Sequence, residues 1–169
     1  VNGVDLEKLS KPLMFITGGG NGSLLLNQAV KKELDQLKSK YFVFHQVGSQ
    51  FLKEYSLYND ENYLAVDFIG SGMIDLYKKA EVVISRAGAG TVCELMALGK
   101  PSVFVPLKIA QHNEQFHNAM EAKEKIGSLV VTEDEFKTFS LANIKLEKAK
   151  SIDTKNKAVD VIIEAIRNV

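Results

Sequence analysis

One pattern, occurring twice, constrains this chain more than any other: a short unbroken apolar run, a glycine-rich turn, and then residues spaced like a helix. The first copy runs from Leu13-Met14-Phe15-Ile16-Thr17 into Gly18-Gly19-Gly20-Asn21-Gly22-Ser23 and a helical stretch. The second runs from Val82–Ser85 through Arg86-Ala87-Gly88-Ala89-Gly90 to a helix expected to open at Thr91. A strand without polar alternation is covered on both faces, as in a parallel sheet packed between helices.

The rest of the chain keeps the alternation. Leu26, Ala29, Val30, Leu34 and Leu37 fall at helical spacing, with Lys31, Lys32, Glu33, Asp35 and Gln36 largely opposite. Strands are expected over Tyr41–Val47, Tyr63–Ile69, Ser102–Val105 and Ser128–Thr132. Helices are expected over Phe51–Tyr58, Met73–Ala80 and Gln115–Lys125, the last ended by Gly127, and a final helix presents Ala158, Ile162, Ala165, Ile166 and Val169. Strands alternating with helices predict an α/β fold: one doubly wound Rossmann-like domain of about six parallel strands with right-handed crossovers. Residues 1–12 read as a linker or edge segment. The chain opens on Val1 rather than Met, so it is expected to be a piece of something longer.

Composition narrows the function classes. With 169 residues the chain is about one domain, and 46% hydrophobic with 25% charged residues is the balance of a globular protein. Lys+Arg 21 against Asp+Glu 21 leaves no net basic field, so nucleic acid is not an expected partner. The single Cys93 forms no internal disulfide, which suits a reducing cytosol. No Cys/His cluster has zinc spacing, and His112 and His117, five apart, are off the i, i+4 face that two helical metal ligands need, so neither metal nor cofactor is expected. No apolar run approaches the roughly 18 residues of a membrane span.

In a doubly wound sheet, ligands sit outside the carboxyl ends of the strands where the winding reverses. That puts Gly18–Ser23, Ile69–Met73, Arg86–Thr91 and Pro106–Gln115 on one rim. A glycine turn opening a helix offers free backbone N–H groups and the positive end of a helix dipole, which suits a phosphate. The first turn is half a dinucleotide fingerprint: Gly18 and Gly20 fit, Ser23 replaces the third glycine, and no acidic residue closes the second strand, which weakens a nicotinamide-dependent oxidoreductase. No Gly-Lys-Ser/Thr follows, so a Walker loop is excluded.

Two readings of several residues stand side by side. Arg86 is either a solvated strand-end charge or a cation for a ligand. Thr91-Val92-Cys93-Glu94 fits a capping box, and on spacing alone Glu94 caps its helix; a carboxylate there also suits the vicinal hydroxyls of a sugar. The polar group His112, Asn113, Glu114, Gln115 and Asn118 suits either a solvated helix start or a hydroxyl-rich ligand. His45, inside an apolar strand, reads as a hydrogen-bonded core residue. Spacing alone supports no pairing of a nucleophile with a base.

Taken together, Phe15–Gln28, Asp67–Pro106 and the Gln115–Ala119 step resemble the C-terminal, donor-binding half of the MurG-like glycosyltransferases, family 28 of the two-Rossmann-domain GT-B group. The resemblance implies a fold that holds UDP-N-acetylglucosamine, with Gly18, Gly19, Gly20 and Asn21 near the diphosphate, and Ile69 and Met73 beside the uracil. It places Arg86, Gly88, Ala89, Gly90 and Thr91 in the helix-opening turn near the nucleotide, Glu94 on the ribose hydroxyls, and Gln115 with Glu114 on the sugar. It implies an inverting hexosyltransferase of peptidoglycan precursor synthesis, working at the inner face of the membrane on a lipid-linked acceptor. The acceptor-binding half, with its base, lies outside this chain, which is expected to bind donor and to be inactive alone. Diacylglycerol glycosyltransferases and the small donor-binding subunit of the dolichol-linked N-acetylglucosaminyltransferase look similar over the same stretches. Three departures stand out: Gly20 where a serine is common, Gly90 in place of a larger residue, and Gly70-Ser71-Gly72 one residue longer than the usual acidic turn.

Overall fold

The computed structural model describes residues 1–108 and 113–146; the helix expected over Ala158–Val169 and His112 lie outside them. Six strands, β1 (Leu13–Thr17), β2 (Phe42–Gln46), β3 (Tyr63–Val66), β4 (Val82–Ser85), β5 (Val103–Phe104) and β6 (Leu129–Val130), form one sheet in the order β3-β2-β1-β4-β5-β6. Every pairing is parallel. The winding reverses between β1 and β4, where Thr17 lies opposite Ser85.

Alternate residues of each central strand feed two separate cores, as a period of two requires. Met14, Ile16, Val43, Val82 and Ile84 face one side, where α1 (Leu24–Lys40) supplies Leu26, Val30, Leu34 and Leu37. On that side α2 (Ser49–Tyr55) adds Tyr55, and α6 (Glu133–Phe136) adds Phe136. Leu13, Phe15, Phe42, Phe44 and Val83 face the other, against Ile74, Leu76 and Tyr77 of α3 (Met73–Lys79). There α4 (Ala89–Ala97) adds Val92 and Leu95, and α5 (Glu114–Ile126) adds Ala119 and Ala122. Each buried aliphatic side chain contributes about 1.5–3 kcal/mol, so the two layers hold the strand ends, and hence the rim, in fixed register.

Several boundaries differ from the sequence reading. The third strand stops at Val66 instead of reaching Ile69, because Asp67 turns its carboxylate to the Phe68 N–H and both residues are exposed. β5 and β6 are two residues long, yet their flanks still bond across the sheet, with the Val105 N–H donating to Ser85 at 2.8 Å and the Leu129 N–H to Ser102 at 2.9 Å. The helix expected at Thr91 opens two residues earlier, at Ala89, with extended Gly88 as its cap residue. Residues 1–12 are less free than a linker: Leu6 is buried against the second core, and Glu7 pairs with Lys79 at 2.9 Å.

Candidate functional site

The two glycine bends emerge side by side. They leave adjacent strands at the same sheet edge, the Arg86 N–H reaches the Thr17 carbonyl at 3.4 Å, and the Arg86 Nε donates to the Ser23 hydroxyl at 3.1 Å. Both lie at the point where strand order reverses, the crevice in which open α/β sheets take their ligands.

The first bend is locked from below. Thr17 Oγ1 donates to Gln46 Oε1 at 2.7 Å and accepts the Gly19 N–H at 3.0 Å, so the turn begins from a buried polar pair. Gly19 and Gly22 have φ of +80° and +73°, a region L side chains avoid. Gly20 and Asn21 are exposed at the crest, and a Cβ added at Gly20 would meet nothing within 4 Å.

The second bend is held from the side. The Gln115 Oε1 accepts the N–H groups of Ala87 at 3.3 Å and Leu107 at 3.0 Å, while the Asn118 amide donates to the Ala87 carbonyl at 3.2 Å. The α4 N-terminus has no side-chain cap among the described residues, which leaves the Ala89, Gly90 and Thr91 N–H groups without intrahelical acceptors. Cβ atoms built at Gly88 and Gly90 meet nothing within 4 Å. Beneath this bend Ser85 Oγ is buried without a hydrogen-bond partner among the described residues, an unusual state for a core hydroxyl.

Arg86 is not a solvated charge. Besides Ser23, its guanidinium donates to the Val105 carbonyl at 3.1 Å and pairs with Glu133 at 2.8 Å, and its side chain is only 14% exposed. It therefore ties the first bend, β5 and α6 to the second bend.

The capping-box reading of Thr91 and Glu94 does not hold. Thr91 is the third helical residue, and the phenol of Tyr77 on α3 lies near Glu94. The capping box of this region is at Thr132 and Glu135 instead. Glu94 is half-buried one turn inside α4, and burial pushes its carboxyl above the usual range while the Tyr77 bond pulls the other way.

Ile69 and Met73 lie over the far end of the rim, at the third strand; two strand spacings, about 10 Å, separate β3 from β1. Ile69 is 3% exposed and packs in the core, and Met73 is half-buried. Phe68, unremarked in the sequence, is 61% exposed beside it. Glu114 is exposed at the start of α5. A cleft of about 350 Å³ lined by Pro106, Leu107, Lys108, Asn113, Phe116 and Glu133 flanks the Gln115 side of the second bend. A larger hollow, about 550 Å³, lies between residues 1–7 and α3 and holds none of these groups. No helix among the described residues is long and apolar enough to cross a membrane, and no group of three or more His, Cys, Asp or Glu is placed for a metal ion.

Residues 13–163 match the family model of the glycosyltransferase family 28 C-terminal domain. The chain belongs to this family. Over 135 residues it is 37% identical to the UDP-N-acetylglucosamine--N-acetylmuramyl-(pentapeptide) pyrophosphoryl-undecaprenol N-acetylglucosamine transferase of Clostridium botulinum, covering 79% of this chain and 38% of that one. The crystal structure of Acinetobacter baumannii MurG is similar with a TM-score of 0.59 at 25% identity, over 94% of this chain and 44% of that one. The solution structure of ALG13 shares the fold, with a TM-score of 0.58 at 15% identity over 90% of this chain and 94% of that one. This family 28 domain thus spans less than half the length of the curated transferases it matches.

Three residues that order the site carried no sequence signal for that role. Ser23 caps α1 and receives Arg86, Glu133 neutralises Arg86 from across the sheet, and the Tyr77 phenol lies near Glu94. Ser23 was visible as the end of a glycine turn. For the other two, nothing local marks a partner on a different element.

Proposed function

We propose that this family 28 domain binds the UDP-N-acetylglucosamine donor of an inverting hexosyltransferase; its Clostridium relative is named as an N-acetylglucosamine transferase. The observation that carries the reading is the pair of glycine bends on adjacent strands at the reversal point, one presenting Gly20 and the other the uncapped N–H groups of Ala89, Gly90 and Thr91. The diphosphate sits across them. The helix N-terminus and these N–H groups stabilise the negative charge that develops on the leaving UDP as the anomeric bond breaks.

Glu94 accepts the ribose hydroxyls from within α4. Met73, with Ile69 packed beside it, flanks the uracil, and Glu114 with the amide of Gln115 faces the sugar at the edge of the cleft lined by Asn113 and Phe116. Arg86 contributes by holding both bends at once. The acceptor is carried on a lipid at a membrane surface, and an acceptor-binding half supplies the base that deprotonates it. A nicotinamide dinucleotide is disfavoured because β2 ends in buried Gln46, bonded to Thr17, where a ribose-binding carboxylate would stand.

Parallel calorimetric titrations with UDP, UDP-N-acetylglucosamine, UDP-glucose and NAD test the reading. UDP and UDP-N-acetylglucosamine are expected to bind and NAD to give no heat; NAD binding with UDP silent would overturn it.

A further inference from the structure

Behind the first bend lies a continuous buried hydrogen-bond chain that the donor site does not use. Asn27, His45 and Tyr63 are each fully buried, on α1, β2 and β3. Asn27 Nδ2 donates to the Val47 carbonyl at 3.1 Å, which turns Asn27 Oδ1 toward His45 Nε2 at 3.0 Å. Since Oδ1 only accepts, Nε2 carries the ring proton, and Nδ1 accepts from the Tyr63 hydroxyl at 3.0 Å. The direction of every bond follows from the one at Val47.

Val47 is where this chain meets the bend. Main chain packs on main chain here: a Cβ built at Gly22 would lie 1.9 Å from the Val47 oxygen, and one built at Gly48 would lie 2.5 Å from the Asn21 oxygen. Asn27 also donates its own N–H to the Ser23 carbonyl at 2.9 Å. One residue therefore grips both surfaces between which Asn21 and Gly22 are held. Apolar side chains would fill this space without the desolvation cost of three buried polar groups, so stability alone does not account for them.

We infer that Asn27 is a positioning residue for the diphosphate-binding turn, acting through its bond to the Val47 carbonyl, with His45 and Tyr63 completing the buried chain behind it. This rests on the proposed seat of the diphosphate at Gly18–Asn21. Losing the Val47 bond frees the 47–48 backbone, and with it the turn, while the uridine end of the site over β3 and α4 keeps its geometry. The effect is selective for phosphate.

The test compares UDP with uridine as ligands of the full chain. In Asn27→Ala the ratio of UDP to uridine affinity is expected to fall about tenfold, the equivalent of one hydrogen bond, with uridine binding itself nearly unchanged. Tyr63→Phe removes only the outer link; it is expected to lower the urea midpoint and leave the ratio within about twofold, which separates positioning from general destabilisation. An unchanged ratio in Asn27→Ala, or an equal fall in both variants, overturns the inference. Should Asn27→Ala fail to fold, the 15N shifts of the His45 ring in the unaltered protein decide: the Nε2–H tautomer supports the relay and the Nδ1–H tautomer overturns it. Absence of UDP binding in the unaltered protein would instead sink the donor-site reading.

Discussion

The two glycine bends look alike in sequence and differ in why they need glycine. In the first, Gly18 and Gly22 are demanded by the chain itself: added Cβ atoms would lie 2.3 Å from the Ser23 nitrogen and 1.9 Å from the Val47 oxygen. In the second, Gly88 has φ −63° and ψ 146°, which any residue adopts, and both Gly88 and Gly90 face open space. A glycine that the fold does not require leaves room for something outside it. The first bend is thus a rigid floor, and the second a cleared approach to a helix N-terminus.

The sharpest way to break this contrast is substitution at Gly22. Gly22→Ala places a methyl against a backbone carbonyl at positive φ and is expected to cost about 3 kcal/mol or more in urea unfolding. Gly88→Val is expected to leave the unfolding midpoint within about 0.5 kcal/mol of the parent. Its UDP affinity should fall about tenfold, because the branched side chain fills the approach. Equal damage to folding at both positions would erase the distinction.

Smaller effects sharpen it. Glu94→Gln is expected to weaken UDP several-fold, roughly 1 kcal/mol, with folding nearly intact, since glutamine is close to isosteric and Glu94 does not cap its helix. Normal UDP binding in that variant would remove the ribose role. Acid separates the two regions again. Burial lowers the His45 pKa from 6.5 to about 3, so the unfolded chain takes up a proton that the folded chain refuses. Stability contributed by neutral His45 is complete above the unfolded value and is lost as pH falls below it, by at most about 1.4 kcal/mol per pH unit. Glu94, raised by burial, has the opposite sign: its folded form holds a proton more readily, and its contribution declines as pH rises. Urea titrations between about pH 6.5 and 5, above the range where the paired carboxylates Asp60 and Asp134 titrate, should show a slope that is reduced in His45→Gln.

Much of this architecture was legible in the residues, because unbroken apolar runs such as Leu13–Ile16 and Val82–Ile84 have only one comfortable place, between two helical layers. The neighbouring bends followed from the same logic. What stayed hidden depends on contacts across the sheet. Glu133 reaches Arg86 from a different element, and the early start of α4 comes from the extended backbone of Gly88 rather than from a capping side chain. Ile69 was placed beside the uracil by resemblance; its packing in the second core depends on apolar neighbours from other elements. His45 was read as a hydrogen-bonded core residue and is one; only the fold supplies Asn27 and Tyr63 as its partners.

Backbone amide NMR of the uniformly 15N-labelled chain, titrated with UDP, addresses the shared seat of the diphosphate most directly. Coincident, saturable shifts are expected at Gly19, Gly20, Ala89, Gly90 and Thr91, from both bends together. Shifts confined to one bend, or to the hollow between residues 1–7 and α3, would contradict the shared seat.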